Sequence, residues 1–120
     1  MDKGYLIVQT STTETIFPVS DSTVIVNGDG IDYTYETDRS GKTPKIEIIT
    51  PDTKNSTEQT AEKGYTSVEV SIFKEGYYKT TVKNVQIFPK ETSLLYVNMI
   101  PLPENEPEKG LVYDTNSQNL

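Results

Sequence analysis

The sequence contains no cysteine, no histidine and no tryptophan, and each absence removes a class of chemistry. Without cysteine there is no disulfide and no thiolate to act as nucleophile or ligand. Without histidine the commonest general base and the commonest zinc ligand are both missing. Without tryptophan the broadest aromatic platform for a sugar ring is missing too. Cations are outnumbered: 11 Lys and Arg against 18 Asp and Glu give a net charge of −7. Phosphate backbones and anionic lipid both demand clustered Lys and Arg, so neither nucleic acid nor a membrane is an expected partner. Long hydrophobic runs are absent as well. Tyr5-Leu6-Ile7-Val8 is too short for a signal-peptide core, and nothing approaches the eighteen or so apolar residues of a membrane span.

Helix formers are scarce, with one alanine (Ala61) and one arginine (Arg39), whereas Thr, Val, Ile and Tyr are abundant. Short apolar stretches alternate with polar residues and are divided by Gly, Pro, Asn and Asp clusters, the texture of strands and turns. The pattern predicts seven strands, at about Gly4–Thr10, Thr23–Asn27, Asp32–Thr37, Lys45–Thr50, Thr66–Lys74, Tyr77–Phe88 and Ser93–Ile100. In a 120-residue chain this implies a single all-β domain of two packed antiparallel sheets.

Period two assigns the faces. Leu6 and Val8 are expected inside, as are Val24 with Val26, and Val68 with Val70 and Ile72. The sixth strand loses phase: Tyr78, Thr80 and Val82 agree, then Val85 and Ile87 are displaced by one. That predicts a bulge, or a strand that changes sheets, near Lys83-Asn84. The seventh is apolar on both sides, Leu95, Val97 and Met99 against Leu94, Tyr96 and Ile100, so it is expected to be central or to meet a second surface.

Asn27-Gly28-Asp29-Gly30 reads as a hairpin turn, and Asp38-Arg39-Ser40-Gly41-Lys42 as a compact turn with Asp38 accepting backbone N–H groups. Lys74-Glu75-Gly76 joins the fifth and sixth strands in the same way. Pro51 to Gly64 is a long polar connection, with a short helical turn expected at Ser56–Lys63. Past Ile100 the chain becomes proline-rich and acidic, dividing it into a sandwich domain at 1–101 and a linker and tail at 102–120. Within that tail Leu111-Val112-Tyr113 is expected to form one further strand or a docking point.

Several of these residues carry a family resemblance. Gly4-Tyr5-Leu6-Ile7-Val8, Pro18-Val19-Ser20-Asp21-Ser22-Thr23-Val24, Thr37-Asp38-Arg39-Ser40-Gly41 and Glu75-Gly76-Tyr77 together resemble the carboxypeptidase regulatory-like, or prealbumin-like, domain. Ser22 stands where that family usually has alanine. The closing Asn84-Val85-Gln86-Ile87-Phe88 and Val97-Asn98-Met99-Ile100-Pro101 are similar to N-terminal modules of spore cortex-lytic and peptidoglycan-active proteins. The resemblance implies a seven-stranded antiparallel Greek-key β-sandwich serving as a non-catalytic accessory module, associated with the cell envelope or spore. A protein partner or adjacent domain is implied. Two alternatives come from the residues themselves: a self-assembling structural protein of phage or surface type, a homo-oligomer with the two-sided seventh strand buried between copies, or a weak carbohydrate- or peptidoglycan-binding module.

Candidate chemistry is thin. The hydroxyisourate hydrolase built on a prealbumin-like fold depends on histidine, which this chain lacks. Ser40 is a hydroxyl in a turn with no base placed beside it. No catalytic residue, cofactor site or metal site is therefore assigned. Asp29 with Asp32, or Glu104, Glu106 and Glu108, are acidic enough for a weak Ca²⁺ site but lack loop-motif spacing. Lys3, Glu69 and Asn98 occupy roughly the elements that form Lys–Asn isopeptide bonds in adhesin sandwiches, although Lys3 precedes the first expected strand and Glu69 alternates outward. Tyr33 and Tyr35 on one strand face, with Tyr77 and Tyr78 elsewhere, form the candidate interaction surface; the alternative is that they pack the core edge with their hydroxyls in water.

Overall fold

The computed structural model describes residues 2–12, 17–28, 30–51, 64–102 and 110–114. Among these the regular elements are all strands: β1 (Asp2–Thr12), β2 (Phe17–Pro18), β3 (Thr23–Gly28), β4 (Ile31–Glu36), β5 (Ile46–Thr50), β6 (Thr66–Phe73), β7 (Lys79–Ile87), β8 (Thr92–Met99) and β9 (Gly110–Asp114). All seven expected strands are present. The additions are the two-residue β2 and β9, which contains the Leu111-Val112-Tyr113 segment. The helical turn expected at Ser56–Lys63 lies outside the described residues.

The strands form two sheets. In the first, β1 is central. One of its edges pairs antiparallel with β5 over Asp2–Leu6 and with β2 over Ser11–Thr12, and the other pairs parallel with β8 over Tyr5–Thr12. The second sheet runs β4-β3-β6-β7-β9, antiparallel except for the β7–β9 pair. The chain thus passes from one layer to the other after β2, β4, β5, β7 and β8. A strand delivered by a crossing between layers, rather than by a hairpin, is free to lie parallel to its neighbour. That is how two parallel pairs enter a sandwich expected to be antiparallel. The expected central position of the seventh strand is corrected: β8 pairs with β1 alone among the described residues and is an edge.

Alternation fills the space between the sheets. Leu6, Val8, Val24, Val26, Ile46, Ile48, Val70, Ile72, Ile87 and Met99 are completely buried, and Val68, Val82, Val85 and Val97 nearly so. Each such side chain contributes on the order of 1.5–3 kcal/mol relative to exposure. The phase change in β7 is a bulge. Val68 stands opposite Val85 and Val70 opposite Val82, so Lys83 and Asn84 together face Glu69, and Asn84 takes a φ of 62°. The extra residue returns Val85 and Ile87 to the core side.

At one end of the sandwich, hydroxyl groups replace ladder bonds. The Thr37 Oγ1 donates to the Val19 carbonyl at 2.8 Å and accepts from the Ser22 N–H at 3.0 Å. Thr10 Oγ1 donates to the same carbonyl, and Thr43 Oγ1 accepts from the Val8 N–H. Asp38 Oδ1 accepts from the Ser40 and Lys42 N–H groups at 2.8 and 3.1 Å, which closes the turn that Gly41 completes at φ 78°. The threonine–aspartate–glycine motif is therefore a fastening for the loops at 19–22 and 37–43.

Candidate interaction face and edge

The two outer faces differ in chemistry. On the second sheet Asp32, Thr34 and Glu36 lie beside Thr23, Ile25 and Asn27, then Ser71 and Glu69, a polar surface with Phe73 at one end. On the first sheet the register sets Ile7 beside Leu94 and Gln9 beside Tyr96, with Tyr5 one row away. Leu94 is 56% exposed and Tyr96 66%, while Ile49 of β5 is exposed further across. Cations flank this strip. Lys45 Nζ sits 5.2 Å from the centroid of the Tyr5 ring, within cation–π range. Lys3 pairs with Glu47 at 3.0 Å, and the hydrogen bond it donates to that carboxylate raises the lysine above its ordinary pKa.

The edges differ too. Exposed strand edges are ordinarily protected by charge or proline. β4 carries Asp32 and Glu36, β5 carries Glu47, β9 carries Asp114 and β2 carries Pro18. β8 reads Thr92-Ser93-Leu94-Leu95-Tyr96-Val97-Asn98-Met99, with no charge and no proline. The Tyr5 N–H donates to the Glu91 carbonyl at 2.9 Å, which fixes the phase of the parallel ladder. Alternate residues of a parallel strand bond to opposite neighbours. Thr92, Leu94, Tyr96 and Asn98 consequently aim their backbone N–H and C=O groups away from β1, along the open edge. The opening is bounded. At one end Lys90 N–H bonds back to the Lys3 carbonyl at 2.7 Å. At the other, Tyr78 N–H bonds to the Ile100 carbonyl at 2.8 Å and Tyr77 bridges Pro101.

The four tyrosines singled out in the sequence do not converge. Tyr33 and Tyr35 lie on β4, half-buried against the core and edge-on to each other, with ring centroids 6.3 Å apart. Tyr77 and Tyr78 lie between β6 and β7, at the closed end of the β8 edge, and β3 and β6 intervene between the two pairs. Tyr5, Ile7, Leu94 and Tyr96 form the more exposed strip. Its sequence signal was the two-sided apolar pattern of the seventh strand.

Lys3 is within β1 and faces outward to Glu47, rather than preceding the strand. Asn98 stands beside Ser11, eight residues along β1 from Lys3, a separation of about 26 Å at strand rise. With Glu69 on the other sheet, these residues cannot form an isopeptide bond. Among the described residues no three acidic side chains gather in a way that could hold a metal. Asp32 is exposed; Asp29, Glu104, Glu106 and Glu108 lie outside the described residues.

Among the described residues, these features define a two-sheet β-sandwich with one apolar outer strip and one edge, β8, that no described strand covers. No protein-family profile and no curated protein matches the chain. Solved structures share its fold. The TIE protein of Bacillus anthracis aligns with a TM-score of 0.62 at 11% identity, over 84% of this chain and 17% of that one. Catechol 1,2-dioxygenase from Acinetobacter sp. ADP1 gives 0.56 at 9% identity, over 92% and 58%. The minor pilin GBS52 of Streptococcus agalactiae gives 0.53 at 13% identity, over 88% and 48%. The chain thus spans less than two thirds of each of these proteins. A pilin and a dioxygenase on one architecture show that the likeness is one of fold.

Proposed function

We propose that this chain is a non-catalytic β-sandwich interaction module, prealbumin-like in type, that presents the β8 edge and the adjoining strip to a protein partner. The open edge carries the reading: an eight-residue strand without charge or proline, whose outward backbone groups are a template for another strand. The apolar strip beside it supplies the contact area that backbone bonds alone lack. The lack of histidine and cysteine supports a role without catalysis. The resemblance of the closing strands to modules of peptidoglycan-active and spore cortex-lytic proteins supports an envelope or spore setting. The pilin sharing the fold is consistent with a surface protein.

The test compares the wild type with Leu94→Lys/Tyr96→Lys as baits against an envelope fraction and against purified peptidoglycan. A protein retained by the wild type and lost with the variant is the expected result. Retention on bare peptidoglycan, unchanged by the variant, would instead favour glycan binding. A retained set identical for both baits would sink the role of β8.

A further inference from the structure

Resting on that reading of β8, we infer that the strand taken up by the edge is β8 of a second copy, paired antiparallel about a two-fold axis through Leu95. The outward positions are Thr92, Leu94, Tyr96 and Asn98, symmetric about Leu95. In this register Leu94 faces Tyr96 of the other copy and Thr92 faces its Asn98. Each is a hydrogen-bonded pair in which both backbone groups are exchanged. Four pairs then satisfy the open edge without remainder. The bounded ends require a short partner, and β8 itself has the right length.

The cross-strand chemistry agrees. Two leucine–tyrosine pairs lie at the centre and two threonine–asparagine pairs outside them, the aliphatic–aromatic and polar pairings that stabilise antiparallel strands. Charge agrees as well, although two copies at −7 each repel at long range. The two-fold brings Glu91 to the level of Met99 in the other copy. That is beside the step where Tyr78 leaves the edge and Lys79 begins β7. Both side chains are exposed, so a glutamate and a lysine from opposite copies lie toward each end of the interface, where they offset part of that repulsion. The interface is isologous and closes at two subunits, and its strand pairing involves β8 alone.

Sedimentation velocity on the full chain tests this. The wild type should show a concentration-dependent monomer–dimer equilibrium. Leu94→Lys/Tyr96→Lys sets lysine against lysine across the axis and should weaken it at least tenfold. Leu94→Lys/Tyr96→Glu sets lysine against glutamate in this register alone and should recover most of the loss; a parallel pairing, with Leu94 facing Leu94, would gain nothing. Thermal unfolding within a few degrees of wild type confirms that each variant is folded. A wild type that stays monomeric at about 200 μM, a dimer indifferent to the two lysines, or a glutamate variant that fails to recover would each overturn the inference. A monomeric wild type whose envelope partner is still lost with the double-lysine variant would overturn the self-pairing and leave the interaction-module reading standing.

Discussion

Gly41 lies directly against Thr10: the Thr10 N–H donates to the Gly41 carbonyl at 2.7 Å, and a Cβ on Gly41 would run into the Thr10 carbonyl oxygen. Gly41 also holds φ 78°, so an L side chain there meets both torsional strain and a backbone atom that cannot swing aside. Gly41→Ala should cost about 2–4 kcal/mol, lowering the melting temperature by on the order of 10 °C. Gly30 provides the control. Its φ is 75° but no described residue stands within 4 Å of its missing Cβ. Gly30→Ala should cost only the torsional part, about 1–2 kcal/mol. Equal losses in the two variants would mean the contact under Thr10 is not tight.

Buried threonines divide into two kinds with opposite expectations. Thr37 shares the Val19 carbonyl with Thr10 and also accepts from the Ser22 N–H, so Thr37→Val strands that buried N–H and should destabilise by about 1–3 kcal/mol. The Thr80 hydroxyl is buried near the start of β7 with no hydrogen-bond partner among the described residues. Valine keeps its shape and discards the unmet polar atom, so Thr80→Val should stabilise by about 1 kcal/mol. Urea denaturation of both variants measures the two signs directly. A loss at Thr80 would reveal a partner for that hydroxyl.

The sandwich was legible because its information is local. Val68, Val70 and Ile72 alternate with polar neighbours, and the broken phase from Val82 to Val85 marks the bulge without reference to any other strand. Neighbour relations are not local. Nothing within Thr92–Met99 says that its partner will be β1 in parallel, because that choice depends on how the chain crosses between layers. A two-sided apolar strand reads as central for sound reasons of burial, yet here the second side is exposed at Leu94 and Tyr96. The placement of the candidate tyrosines is likewise not local. Tyr33 and Tyr35 alternate like surface residues, but their strand lies over the rim of the core and draws the rings inward.

Asn84 gives the bulge a residue that tolerates a left-handed backbone, at φ 62°. A β-branched side chain is least able to follow it there. Asn84→Val should therefore cost about 1–2 kcal/mol, while Asn84→Gly should be tolerated far better because glycine adopts this conformation freely. Amide exchange would show where the loss falls, with protection dropping first around Val82 and Val85. A valine variant as stable as the glycine variant would place the bulge elsewhere.

Leu94 and Leu95 are adjacent in sequence and opposite in environment. Leu94 points outward beside Ile7 and is more than half exposed, whereas Leu95 is partly buried and packed against the core. Placing a lysine at the first position removes little apolar burial and leaves the β1 ladder intact. Leu94→Lys should change monomer stability by no more than about 0.5 kcal/mol. The same change one residue later drives a charge toward the aliphatic interior between the sheets. Snorkelling along the side-chain stem recovers part of that cost, and Leu95→Lys should still lose about 2–3 kcal/mol. Stability measured at a concentration too low for self-association isolates this effect from any dimer. If Leu94→Lys proved the more damaging of the two, β8 would be inverted in register, and the outward groups proposed for the edge would belong to Ser93, Leu95 and Val97 instead.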